Sequence, residues 1–169
     1  VDEDTPYEIE GSHIALEPGE ILTLKDLLYA LMLPSANDAA SVIAKHYGGS
    51  LENFVKLMNA KAREFGALNT NFANPHGLHD ENHYTTAADL ALITKYAMEN
   101  DTFRKIVSTT KYEIQTTNKK DEPRYFTSLN KLIYNTSHNQ IYVDGMYISP
   151  YYEYATGAKT GYTPQAGNC

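Results

Sequence analysis

Apolar residues recur every three or four positions in four segments of the chain between about residues 24 and 97, the spacing of helices with one buried face. Each segment follows a side chain that can accept a hydrogen bond from the first turn of a helix. These capping candidates are Thr23, Ser35, Ser50 and Thr86. Pro34 ends the first predicted helix, Gly48-Gly49 ends the second, and Gly66 follows the third. We therefore predict a lobe of four helices.

The pattern changes from about Val107 onwards to β-branched and aromatic residues, which favour strands. The segments with a strand-like pattern are 11–16, 106–117 and 157–163. Between the third and fourth helices, residues 67–84 are expected to form a long loop. We predict a mixed α/β (α+β) fold in one partial domain of residues 1–169. Its helical lobe covers about 20–106, and its strand-rich part covers about 107–169.

Composition and charge narrow the possible roles. The chain has 169 residues, of which 42% are hydrophobic and 21% charged, as in an ordinary globular domain with a sizeable core. A net charge of −7 without a basic cluster argues against a nucleic-acid partner. The longest apolar run, 27–33, is too short to cross a bilayer, and the acidic first residues contain no secretory signal. The single cysteine, Cys169, excludes an intrachain disulfide.

Two short motifs carry candidate chemistry. Ser35-Ala36-Asn37 is an S-x-N motif at the corner between the first two helices, where Ser35 is predicted to be an N-cap. Chance alone predicts roughly 0.6 such motifs in this composition, and 128–130 and 137–139 also match. Lys159-Thr160-Gly161 is rarer, at roughly 0.06 by chance. Its ammonium and hydroxyl could bind a carboxylate, and its glycine would let a peptide lie along the strand.

Three longer blocks join these motifs and extend the pattern over residues 11–168. They are "LEPGEILTLKDLLYALMLPSANDAA", "FVKLMNAKAREFGALNTNFANPHGLHDENHYTTAADLALI" and "GAKTGYTPQAGNC". Together they resemble the serine-type D-alanyl-D-alanine carboxypeptidases, the low-molecular-weight penicillin-binding proteins. The resemblance implies a fold like that of β-lactamases and penicillin-binding transpeptidases. In that fold the S-x-N loop of the helical lobe faces the K-T-G strand of an antiparallel sheet across a cleft.

The resemblance also implies roles for individual residues. Catalytic roles fall to Ser35, Asn37 and Lys159, and substrate-binding roles to Thr160, Gly161 and Tyr162. Ser35 would relay a proton to the leaving amine with help from Lys159. Asn37 would hydrogen-bond the substrate's backbone amide, while Lys159 and Thr160 would hold its terminal carboxylate. The backbone N–H of Tyr162 would be one oxyanion donor.

The same resemblance implies the substrate and the cellular site of action. The substrate would be a peptidoglycan stem peptide ending in D-Ala-D-Ala, β-lactams would bind in the same cleft, and no metal or organic cofactor would be needed. Action would be extracytoplasmic, in the bacterial cell envelope. The parent protein could be anchored to the membrane outside this chain.

The third family motif, S-x-x-K, supplies the serine nucleophile. In the family it lies farther upstream of S-x-N than the 34 residues that precede Ser35. Two matches, Ser108/Lys111 and Ser128/Lys131, follow S-x-N instead. Ser108 also falls in a predicted strand, where alternation would separate its side chain from that of Lys111. We therefore expect an interior fragment of a longer enzyme, inactive by itself.

Two alternatives remain open at this stage. His76, His79 and His83 lie close together in the predicted long loop, and three histidines could hold Zn²⁺ in a metal-dependent hydrolase. No H-E-x-x-H helix accompanies them to supply a general base. The second alternative is a non-catalytic module that grips peptidoglycan stem peptides in the same cleft.

Overall fold

The computed structural model describes residues 1–7, 10–135 and 140–168. Its α-helices are α1 (Leu24–Met32), α2 (Asn37–Gly48), α3 (Leu51–Glu64), α4 (Ala87–Ala97) and α5 (Asp101–Val107). Its strands are β1 (Lys111–Ile114), β2 (Arg124–Thr127), β3 (Ile141–Val143), β4 (Met146–Ile148), β5 (Tyr162–Thr163) and β6 (Gly167–Asn168). They form three antiparallel pairs, β1–β2, β3–β4 and β5–β6. Helices thus come first and antiparallel strands follow, as predicted. Cys169 and the S-x-N match at 137–139 lie outside the described residues.

Three of the four predicted helix caps are confirmed. The side chains of Thr23, Ser50 and Thr86 each accept a hydrogen bond from the backbone N–H three residues on. Gly49 ends α2 in the left-handed conformation, at a φ of 72°. The fifth helix, capped by Asn100, was not expected. Caps and C-terminal glycines act within a few residues, so the local sequence is enough to predict them.

The predicted N-cap at Ser35 is wrong. Helix α2 begins at Asn37, and Ala36 occupies the cap position without a side-chain hydrogen bond. The backbone donors at this helix start have other partners, among them the Asp38 carboxylate, which accepts from Ala39 N–H at 2.9 Å. The N–H of Asn37 donates to Ser12 O at 2.8 Å, and that of Ala36 donates to Ala30 O at 3.0 Å. A capping hydroxyl is therefore not required there.

Two predicted strands are shorter than expected, and one is absent. The segment 106–117 starts inside α5, and only Lys111–Ile114 is strand. In 157–163 the strand is limited to Tyr162–Thr163, next to a turn in which Ala166 N–H donates to the Thr163 hydroxyl. Residues 11–16 form no strand, because the amides of Ile14 and Leu16 donate to the buried Asp38 carboxylate instead. Backbone donors need a partner, but that partner need not be another strand.

The helical and strand-rich parts share one hydrophobic core. Leu27, Leu33 and Ile43 of the helical part pack in the same cluster as Ile114 and Phe126 of β1 and β2. The rings of Tyr29 and Tyr112 stack across the boundary with centroids 3.7 Å apart. None of the described helices is long and apolar enough to span a membrane. The shared core holds the two parts together, and the division near residue 107 stays a prediction.

A buried ion pair adds a polar link between the two parts. Glu20, just ahead of α1, is 1% exposed, and both of its carboxylate oxygens accept hydrogen bonds from the Arg124 guanidinium at 2.8 and 3.0 Å. Thr117 donates to the same carboxylate at 2.7 Å. Burial raises the pKa of Glu20, but the hydrogen bonds from Arg124 and Thr117 outweigh it and hold the pKa below 4.5.

Candidate active site

All six predicted site residues line one cleft of about 520 Å³. Ser35 and Asn37 lie on the helical side, and the K-T-G segment with Tyr162 lies on the other. The two motifs are 124 positions apart in the sequence, from Ser35 to Lys159, so tertiary packing alone brings them together. A third side of the cleft comes from the loop 72–83.

The S-x-N corner holds Ser35 in an unusual backbone conformation. Its φ of 64° is left-handed, which costs a non-glycine residue about 1–2 kcal/mol. Hydrogen bonds on both sides fix the corner: Leu33 N–H donates to Tyr29 O at 2.9 Å, and Ala36 N–H donates to Ala30 O at 3.0 Å. Strained residues of this kind cluster at functional sites, where the surrounding structure enforces them. The corner therefore presents the half-buried Ser35 side chain to the cleft.

Asn37 is 6% exposed and is already engaged by its own chain. Its Nδ2 donates to Glu10 O at 2.8 Å. The neighbouring Gly11 has a φ of 77°, and a Cβ there would lie 3.1 Å from Asn37 Nδ2. A side-chain amide has two N–H donors and one acceptor oxygen, so Asn37 keeps groups that can bind a ligand. The segment around Gly11 thus orients the Asn37 amide at the floor of the cleft.

The K-T-G segment depends on a close backbone contact just before it. Gly157 lies against the buried Val107 of α5, where an added Cβ would lie 2.6 Å from Val107 Cγ2. This contact requires glycine and places the following residues beside the cleft. Lys159 Nζ donates to the backbone oxygen of Thr160 at 2.7 Å. Tyr162 is largely exposed, at 69%, which suits a role carried by its backbone rather than its ring.

The third side of the cleft was missed as part of the site by sequence reasoning. Asn74 folds this loop by accepting from Gly77 N–H at 2.7 Å and donating to Leu78 O at 2.8 Å. The loop is tied to α4 because the buried Asp89 accepts from Asn69 N–H at 2.7 Å and from the Thr70 hydroxyl at 2.8 Å. The sequence predicted a long loop over residues 67–84. Nothing local indicated that it faces the two motifs.

The histidines of this loop are not grouped as a set of metal ligands in the described part of the chain. No group of three or more His, Cys, Asp or Glu side chains among the described residues could hold a metal ion. His76 and His83 line the cleft, and each accepts a backbone N–H at Nδ1, from Leu78 and Ala73, both at 3.3 Å. Burial lowers the pKa of both imidazoles, which favours their neutral forms. These contacts give the two histidines a structural role, since they line the cleft and bind the backbone of their own loop.

The serines and lysines of the two S-x-x-K matches are not among the residues that line the cleft. Ser108 follows α5 rather than occupying a strand, so the strand argument against it is wrong, and its hydroxyl donates to Lys105 O at 3.2 Å. Ser128 is buried, and its hydroxyl accepts from Asn130 N–H at 3.2 Å. Both serines have structural contacts of their own.

This chain is similar to known proteins both in sequence and in fold. The family model for D-alanyl-D-alanine carboxypeptidases matches residues 3–169. The chain belongs to this carboxypeptidase family. It is 37% identical over 159 residues to D-alanyl-D-alanine carboxypeptidase DacF of Bacillus subtilis, covering 94% of this chain and 36% of the relative. It is 33% identical over 170 residues to DacA of Haemophilus influenzae, covering 94% and 35%. The chain thus spans about a third of the length of these two relatives.

Solved structures of carboxypeptidase-family proteins share the fold. A Streptomyces DD-transpeptidase superposes with a TM-score of 0.76 at 30% identity, covering 94% of this chain and 58% of that one. A D-alanyl-D-alanine carboxypeptidase of Mycobacterium tuberculosis superposes with a TM-score of 0.79 at 27% identity, covering 99% and 57%. The expected fold of the penicillin-binding-protein type is confirmed.

Proposed function

We propose that this protein is a serine D-alanyl-D-alanine carboxypeptidase that trims peptidoglycan stem peptides and binds β-lactams. The convergence of S-x-N and K-T-G residues on one cleft carries this proposal. Family membership supports it independently, because the relatives named above are D-alanyl-D-alanine carboxypeptidases. Such stem peptides are part of the cell wall, so we expect the protein to act outside the cytoplasm.

The proposed reaction is acyl transfer in two steps. A serine oxygen bonds to the carbonyl carbon between the terminal D-alanines, and the amide C–N bond breaks. The serine proton passes through Ser35 to the leaving amine, which departs as D-alanine. Water then hydrolyses the resulting ester. We expect the nucleophilic serine to come from an S-x-x-K motif other than the matches at 108–111 and 128–131, whose serines do not line the cleft.

Each wall of the cleft supplies a different part of substrate recognition. On the K-T-G side, the Lys159 ammonium and the Thr160 hydroxyl bind the terminal carboxylate. Gly161 leaves room for the peptide, and the backbone N–H of Tyr162 donates to the oxyanion. On the helical side, Asn37 hydrogen-bonds the peptide amide of the substrate. Preorganised donors of this kind stabilise charge as it develops in the transition state.

The test is D-alanine release from a peptide ending in D-Ala-D-Ala by the full-length enzyme and its Lys159→Ala variant. Loss of one preorganised charged donor should lower kcat/KM by about 10²–10³-fold, or about 3–4 kcal/mol. Acylation by penicillin should slow as well, because β-lactams also present a carboxylate. Lys95→Ala, on the exposed surface of α4, is the matched control and should not change either rate. Equal rates for the two variants would rule out the role of Lys159.

A further inference from the structure

The turn Ser128–Leu132 carries two buried polar side chains and contacts the chain just ahead of the S-x-N corner. Ser128 and Asn130 are 5% and 6% exposed. Buried polar groups persist when they are hydrogen-bonded. The Ser128 hydroxyl accepts from Asn130 N–H at 3.2 Å, and Asn130 Oδ1 accepts from Leu132 N–H at 3.1 Å. Both side chains therefore fold the turn itself.

The backbone of this turn contacts the chain ahead of both cleft motifs. Leu129 N–H donates to Leu33 O at 3.3 Å, two residues before Ser35. At the other end, Leu132 O accepts from Tyr152 N–H at 3.0 Å, seven residues before Lys159. A short turn thus links the segments that lead into the two walls of the cleft.

Asn130 stabilises this turn although it does not line the cleft. Its Oδ1 is the acceptor for Leu132 N–H, and Leu132 in turn accepts from Tyr152. Without that oxygen, the Leu132 donor loses its partner and the turn can open. The end attached to Tyr152 would then move relative to the end attached to Leu33. A shift of about 1 Å between catalytic groups can cost about 10²-fold in rate.

We propose that the Ser128–Leu132 turn sets the spacing between Ser35 and Lys159, with Asn130 as a positioning residue. The inference rests on the proposed function for its kinetic consequence. The proposed effect of the turn on the spacing between Ser35 and Lys159 does not depend on that function. A proton relay through Ser35 requires hydrogen-bond distances, so the spacing across the cleft affects the chemical step more than substrate capture.

The kinetic test compares Asn130→Ala with Asn130→Asp in the full-length enzyme. The aspartate keeps an oxygen where Leu132 N–H needs an acceptor, whereas alanine removes it. We expect Asn130→Ala to lower kcat about 10–100-fold with a smaller change in KM, and Asn130→Asp to recover most of kcat. Asn100→Ala is the matched control. It removes another asparagine oxygen that accepts a backbone N–H, from Phe103 at 3.0 Å, at a helix start outside the cleft lining. It should lower stability but not kcat.

A second measurement separates failure of this inference from failure of the proposed function. Backbone amide NMR shifts of Ser35 and Gly161 should move in Asn130→Ala and return in Asn130→Asp. If these shifts move but the wild-type enzyme releases no D-alanine, positioning stands and the carboxypeptidase proposal fails. Unmoved shifts, or an equal loss of kcat in Asn100→Ala, would overturn the positioning role.

Discussion

Neutralising Glu20 should destabilise this protein far more than neutralising an exposed glutamate. The Glu20 side chain is fully buried, and its carboxylate accepts hydrogen bonds from Nη1 and Nη2 of Arg124, from the Thr117 hydroxyl and from Glu17 N–H. The Arg124 side chain is only 12% exposed. In Glu20→Gln, one carboxylate oxygen becomes an amide nitrogen, which faces donors and cannot accept from them.

The expected loss is about 3–5 kcal/mol, because the change leaves the buried Arg124 without its opposite charge. Typical domains are stable by about 5–15 kcal/mol in total, so this is a large fraction. Arg124→Met should cost a similar amount for the reciprocal reason. The double variant Glu20→Gln/Arg124→Met should lose less than the sum of the single losses, because no unpaired buried charge remains.

The pH dependence follows from the lowered pKa of Glu20. A carboxyl with a lower pKa in the folded state binds fewer protons there than in the unfolded state. Its contribution to stability is therefore present above pH 4.5, the ordinary value, and is lost as pH falls through the lower folded-state pKa. The difference in unfolding free energy between wild type and Glu20→Gln should shrink over that range.

Urea unfolding followed by circular dichroism measures these differences, with the midpoint and slope fitted separately. Glu52→Gln is the matched control, since Glu52 pairs with Lys56 at 2.6 Å on the exposed surface of α3. Its unfolding midpoint should not change measurably. If Glu20→Gln unfolded at the same urea concentration as Glu52→Gln, the assigned importance of the buried pair would be refuted.

Three further predictions concern the cleft and its surroundings. Gly157→Ala should lower the free energy of unfolding, measured in urea, by about 1–3 kcal/mol because its Cβ would overlap Val107 Cγ2. A second change, Val107→Ala, should lower that free energy less in this variant than in the wild type. Ser35→Gly should be at least as stable as the wild type, since glycine adopts a φ of 64° without strain, whereas Ser35→Ala should be less stable than Ser35→Gly. After incubation of the 169-residue chain with penicillin, we expect no covalent adduct on Ser35, Ser108 or Ser128. Intact mass spectrometry with peptide mapping measures this, and an adduct on any of these serines would contradict the expectation.

Short-range features of this protein were predictable from the sequence because their physics is local. The caps at Thr23, Ser50 and Thr86 and the left-handed Gly49 each involve partners within a few residues. The K-T-G motif and the longer blocks were also sufficient to predict the family and the six residues that meet in the cleft. The family resemblance carries that information, because spacing in the sequence does not determine a distance in space.

Tertiary structure alone determined where long-range partners replace local ones. The Asn37 donor at the start of α2 bonds to the distant Ser12 carbonyl, and 11–16 lost its predicted strand because the Asp38 carboxylate takes its donors. Long-range contacts also position the loop with Asn74, because Asp89 of α4 accepts from Asn69 and Thr70 just ahead of it. Backbone donors and acceptors bind whichever partner the folded chain brings within reach, and residue order does not specify that partner.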